Sequence, residues 1–109
     1  MAENSEPLLV LMTAASKEEA TRLAGMLVSA HLAACVQILP EMESVYRWKG
    51  TIERASEVLL LAKTVRSKFA ALEREVRQLH SYETPEIIAV PIIEGSVPYL
   101  EWLTRSVDR

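Results

Sequence analysis

Residues Ala33–Thr64, AACVQILPEMESVYRWKGTIERASEVLLLAKT, decide the fold. Ala33–Leu39 is an apolar strand, and Pro40, which has no N–H to give a ladder, should bulge the chain or turn it onto a sheet edge. Extended character resumes at Glu43 and runs through Ser44-Val45-Tyr46-Arg47-Trp48 to Lys49-Gly50. A glycine in the second loop position suits a tight hairpin, although Lys-Gly is a weaker signal than Asn-Gly. The return arm starts at Thr51-Ile52 and ends in the strongly apolar Val58–Thr64. Arms of about 16 and 14 residues span roughly 45–53 Å at ~3.3 Å per residue. A domain of this size has a radius of gyration of ~13 Å and hence a diameter of roughly 34 Å. Part of the hairpin should therefore project. Val45, Tyr46, Trp48 and Ile52 lie in that part. A lone overhanging hairpin is marginal and its edges invite association. The alternative, Tyr46 and Trp48 folding back on their own sheet, answers the length argument less well than pairing with copies of the same chain, for which closed symmetric rings are the usual outcome.

Upstream, Met1–Pro7 reads as a disordered tail closed by Pro7, and Leu8–Thr13 as a strand buried on both faces. Ser16 with Glu19 has the spacing of a capping box, and Ala20, Leu23, Leu27 and Ala30 or His31 form the apolar stripe of the helix that follows. Downstream, Ser67 is a cap for a second helix whose core stripe is Phe69, Leu72, Val76 and Leu79. Ile87–Ile93 reads as a buried strand with Pro91 pushing its end toward an edge, and Ser96 caps a last helix with Pro98 in its first turn. The order strand, helix, strand, strand, helix, strand, plus a C-terminal helix, is the split-βαβ or ferredoxin-like α+β pattern, with helices on one face of an antiparallel sheet. It occupies residues 8–109 as one domain.

Composition limits the function classes. The 109 residues are 50% hydrophobic and 25% charged with a net charge of −3, which leaves no basic footprint for nucleic acid. No apolar run reaches the ~18 residues of a membrane span. The N-terminus is polar and acidic, without the basic region of a signal peptide, and the single Cys35 cannot pair within the chain; both favour a reducing, cytoplasmic setting. A chain of this length buries enough surface to fold without a disulfide or a metal.

The richest polar segment is His80-Ser81-Tyr82-Glu83-Thr84-Pro85-Glu86. Imidazole with carboxylate suits Zn or Cu. On spacing alone the segment reads as a polar loop whose histidine sits favourably at a helix C-terminus. Met12 could add a soft thioether, though core filling is the ordinary role for it, and Cys35 in an apolar strand behaves as a small hydrophobe. Lys63, ending an apolar strand, could bind an anion or snorkel to solvent. Tyr99 and Trp102 stand on a different helix face from Leu100, Leu103 and Val107, so the last helix could contact a neighbour as well as its own core. There is no phosphate-binding glycine loop, Cys-x-x-Cys, His-Glu-x-x-His or nucleophile elbow, and a non-enzymatic role is expected.

Several stretches together resemble the CutA divalent-cation tolerance family: Leu32-Ala33-Ala34-Cys35-Val36, Tyr46-Arg47-Trp48-Lys49-Gly50, Leu61-Ala62-Lys63-Thr64, His80-x-Tyr82-x-x-Pro85-Glu86 and Tyr99-Leu100-x-Trp102-Leu103. The resemblance runs from about Leu8 to Val107. It implies a ferredoxin-like homotrimer with long hairpins around the threefold, similar in architecture to the PII signalling proteins, and a link to copper and other divalent cations. His80 and Glu86, with Met12, match positions that would form a metal site; Tyr46, Trp48, Lys63, Tyr82, Tyr99 and Trp102 match positions expected near the clefts between subunits. Two departures stand out. Ser81 replaces the proline that usually follows the histidine, which loosens the geometry at His80. Met12 stands where some relatives carry cysteine; if that thiolate is a metal ligand, a thioether would be weaker and softer, favouring Cu(I) over Cu(II) or Zn.

Overall fold

A two-residue loop makes the hairpin. In the computed structural model, which describes residues 5–108, Lys49 and Gly50 adopt φ of 51° and 82°. Two consecutive left-handed residues give the sign pattern of a type I′ turn, whose twist matches the strands it joins. Gly50 takes this conformation without strain; Lys49 does not. The strands are β1 (Pro7–Ala14), β2 (Cys35–Trp48), β3 (Thr51–Val65) and β4 (Ile87–Pro91), and the helices α1 (Lys17–Ser29), α2 (Phe69–Leu79) and α3 (Val97–Ser106). One antiparallel sheet runs in the order β2-β3-β1-β4, as the split-βαβ order requires.

Register fixes the faces. Val10 pairs with Ala62 and Ala89, and Met12 with Leu60 and Ile87, so these side chains share one face. That face carries α1 through Ala20, Leu23 and Leu27 and α2 through Leu72 and Val76, and all of them belong to one buried cluster. The opposite face presents Leu9, Leu11, Leu59, Leu61, Ile88 and Val90 by the same register. Among the described residues only its far end is covered: Leu103 of α3 and Val107, which follows that helix, pack there with Val65, Ala34 and Ile92.

Pro40 acts as expected. Leu39 faces Leu59 and Met42 faces Glu57, so Pro40 and Glu41 together oppose Val58 in a β-bulge on the edge strand. The pairing of β1 with β3 ends at Val58, so among the described residues β2 is the only strand paired with Thr51–Glu57. The outcome is a two-stranded overhang on a molecule of 46 × 25 × 23 Å. Val45, Tyr46, Trp48 and Ile52 are all exposed on it; Tyr46 and Trp48 do not fold back into the core.

Five local expectations change. Pro7 opens β1 opposite Val65, and the Arg66 N–H and Nε donate to the Glu6 carbonyl and carboxylate at 2.9 and 2.7 Å, so order reaches Glu6; the rest of the expected tail, Met1–Asn4, lies outside the described residues. A 3-10 turn at Arg66–Lys68 precedes α2, which has no side-chain cap from Ser67. Ser96 occupies the N-cap position of α3, but its side chain makes no cap hydrogen bond. The segment read as a buried strand to Ile93 stops at Pro91, and Ile88, Val90 and Ile93 are exposed; Ile88 and Val90 stand on the sheet face away from α1 and α2, which the described residues leave largely uncovered. Leu79, too, is exposed at the last turn of α2.

Candidate functional site

The expected site residues fall into two groups at the two ends of β3. The first lies where the overhang meets the loop between α2 and β4. Tyr46, Trp48 and Glu57 from the hairpin, Tyr82, Glu83 and Glu86 from the loop, and Thr13 at the end of β1 line a cavity of about 640 Å³. The Tyr82 hydroxyl donates to Glu57 Oε2 at 2.7 Å. Burial, reinforced by this bond and by the charge of Glu57, raises the Tyr82 pKa well above the usual phenol value.

A buried network sets the loop. His80 caps α2 in extended backbone (φ −74°, ψ 145°), where the chain leaves the helix. Its Nε2–H donates to the Thr13 carbonyl at 2.7 Å, and the Tyr82 N–H donates to Nδ1 at 3.0 Å. That pairing specifies the tautomer, since a carbonyl can only accept. Glu19, which sequence reasoning treated only as half of a capping box, is the second anchor. Its N–H donates to Ser16 Oγ as that box requires, but the carboxylate turns elsewhere. Oε1 accepts from the Ala15 N–H at 3.0 Å and the Ser81 hydroxyl at 3.1 Å; Oε2 accepts from the Ser81 N–H at 2.7 Å. Burial pushes the Glu19 pKa up, but the hydrogen bonds from Ser81 and Ala15 outweigh it and leave it below the ordinary value. Ser81 therefore tightens the loop rather than loosening it: a proline there would have neither N–H nor hydroxyl to give Glu19. A carboxylate three residues after a helix cap, in a stripe otherwise apolar, was the available signal.

The second group lies about six residues along β3. Lys63 pairs in register with Cys35 and its Nζ donates to Gln37 Oε1. Cys35 Sγ lies 3.7 Å from the Tyr99 hydroxyl, and the Tyr99 and Trp102 rings are 5.4 Å apart on α3. The bond with Cys35, helped by burial, raises the Tyr99 pKa. Six residues of strand are roughly 20 Å, so Lys63, Tyr99 and Trp102 do not share a cleft with Tyr46, Trp48 and Tyr82 within one chain.

The proposed metal ligands do not converge either. Met12 is fully buried beneath α1 and α2. Both ring nitrogens of His80 are engaged, and Glu86 stands in the cavity wall. Among the described residues no three His, Cys, Asp or Glu side chains are grouped to hold a metal ion. One chain alone thus does not fit a resident metal.

Comparison with known proteins gives a consistent answer. The family model of the CutA1 divalent ion tolerance protein matches residues 8–106. The divalent-cation tolerance protein CutA of Thermus thermophilus is 47% identical over 98 residues, covering 90% of this chain and 95% of its own. The chloroplastic CutA 1 of Oryza sativa is 46% identical over 91% of this chain, which spans only 56% of that longer relative. A solved Thermus thermophilus structure superposes with a TM-score of 0.90 at 45% identity, covering 92% of this chain and 97% of that one. The solved rice CutA1 gives 0.91 at 44% identity, covering 96% of each chain. With its sheet order, its long hairpin and its sequence all in agreement, this chain belongs to the CutA1 divalent ion tolerance family.

Proposed function

We propose that the protein acts in divalent-cation tolerance as a homotrimer, binding copper or another divalent cation rather than turning over a substrate, in a cytoplasmic setting that suits its lone Cys35. The relatives named for divalent-cation tolerance support the role. The observation that carries the assembly is the overhang: a two-stranded tip with Trp48 and Ile52 exposed, beside an uncovered sheet face bearing Ile88 and Val90, is surface a single chain has no means to bury. Assembly would also complete what one chain lacks. Glu83 and Glu86 stand at an open cavity wall, where a neighbouring copy could add the remaining ligands, with His80 holding the loop that carries them.

Native mass spectrometry with and without Cu²⁺ tests both parts. Three copies with bound copper are expected, and Ile88→Asp should lower the copy number. Copper affinity unchanged in both Glu86→Gln and His80→Ala would remove these residues from the site.

A second reading, a PII-like signalling or scaffold trimer holding a small ligand in its clefts, is favoured by one observation. The cavity of about 640 Å³ is far larger than a metal ion needs and falls in the range of small-molecule sites.

A further inference from the structure

Glu57 is the least expected member of the cavity. It is only 7% exposed, yet among the described residues it receives one hydrogen bond, from Tyr82 to Oε2. Oε1 receives none, and no lysine, arginine or histidine among the described residues pairs with this carboxylate. With one oxygen held by Tyr82 and the other open to solvent at the cavity, this carboxylate is placed to pair with a cation.

The lining narrows what that partner is. Glu57, Glu83 and Glu86 supply three carboxylates and no basic residue lines the wall, which disfavours phosphates and other anions. A neutral apolar ligand would bury Glu57 without compensating it. A bare metal ion is poorly matched within one chain, since among the described residues the carboxylates are not grouped for coordination. What remains is a cation with a body: a group that presents N–H donors or a diffuse positive charge to Glu57 while its flat or alkyl surface lies on the aromatic side chains Tyr46 and Trp48. We infer that the cavity binds a small organic cation, with a guanidinium or alkylammonium head paired to Glu57 and Trp48 and Tyr46 as its aromatic wall. The inference rests on the ligand reading of this cleft and is independent of the copper reading.

Isothermal titration of the full chain with methylguanidinium chloride and tetramethylammonium chloride, at constant ionic strength, tests it. Saturable binding is expected for at least one of them, and none for inorganic phosphate. Glu57→Gln keeps an acceptor for Tyr82 but removes the charge, and should weaken binding tenfold or more. Trp48→Leu, at an exposed position outside the core, should weaken it severalfold with the copy number in native mass spectrometry unchanged, and serves if the Glu57 variant fails to fold. Absence of saturable binding, or affinity unchanged in the variants, overturns the inference; so does a neighbouring copy's side chain filling the cavity, which would block both titrations. A parallel titration with CuCl₂ keeps the readings apart. Copper binding without organic-cation binding sinks only this inference, and the reverse leaves it standing while sinking the metal reading.

Discussion

The root and the tip of the hairpin are built from the same two strands but under opposite conditions. At the root, Val58, Leu60 and Ala62 lie in a four-stranded sheet roofed by α1 and α2, and Leu60 has no exposed surface. At the tip, Thr51–Glu57 pairs only with β2, and Ile52 is 61% exposed. Both carry apolar side chains, yet only those of the root are buried among the described residues. Hydrophobicity in a strand therefore marks a need for burial without saying which molecule supplies it.

Truncation measures that difference directly. Leu60→Ala should cost about 2–5 kcal/mol in chemical denaturation, the range for a fully buried leucine. Ile52→Ala should cost under about 0.5 kcal/mol if the tip stays in water; any excess that depends on protein concentration measures what the tip buries against another copy. A cost at Ile52 equal to that at Leu60 would erase the distinction.

Glu19 comes next. Glu19→Ala strands the N–H groups of Ala15 and Ser81 and should cost about 2–3 kcal/mol, read as a lower midpoint in urea. Because folding lowers its pKa below the ordinary 4.5, its contribution is present above that pH and is lost as pH falls through the lower folded value. The acid limb of stability against pH should flatten in Glu19→Gln. An unaltered acid limb would assign the loop's hold to His80 instead.

The turn offers a small gain rather than a loss. Lys49→Asn places a residue that tolerates left-handed backbone at φ 51° and should stabilise the hairpin by about 0.5 kcal/mol. The Lys49 ammonium, 5.7 Å from the Trp48 ring centroid, offsets part of that gain.

Much of this molecule was legible in the sequence because its determinants are local. Alternating and continuous apolar runs placed the strands, the spacing of Leu72 and Val76 placed α2, and arm length alone told that the hairpin overhangs. Motif resemblance brought Tyr46, Trp48, Tyr82 and Glu86 into one site. What escaped was set by long-range geometry. Glu19 meets Ser81 across 62 residues, and Tyr82 meets Glu57 across 25, so neither partner could be read from its own neighbourhood. Lys63, Tyr99 and Trp102 carry aromatic and polar character like the others, but strand register puts Lys63 beside Cys35 at the far end of β3, and α3 brings Tyr99 to that end.

The bulge at Pro40-Glu41 works as a reading-frame insertion for side chains. Before it, Cys35, Gln37 and Leu39 share a face with Leu59 and Glu57; after it, the odd-numbered series yields to Met42, Ser44, Tyr46 and Trp48. Were Pro40 and Glu41 both paired one to one in a regular strand, Glu41 would stand opposite Glu57, turning Val45 and Arg47 toward that face and the aromatic pair away. A guanidinium would then be wired permanently against the acidic wall. One residue, far from the loop chemistry, thus determines whether this hairpin presents a receptor or its own plug.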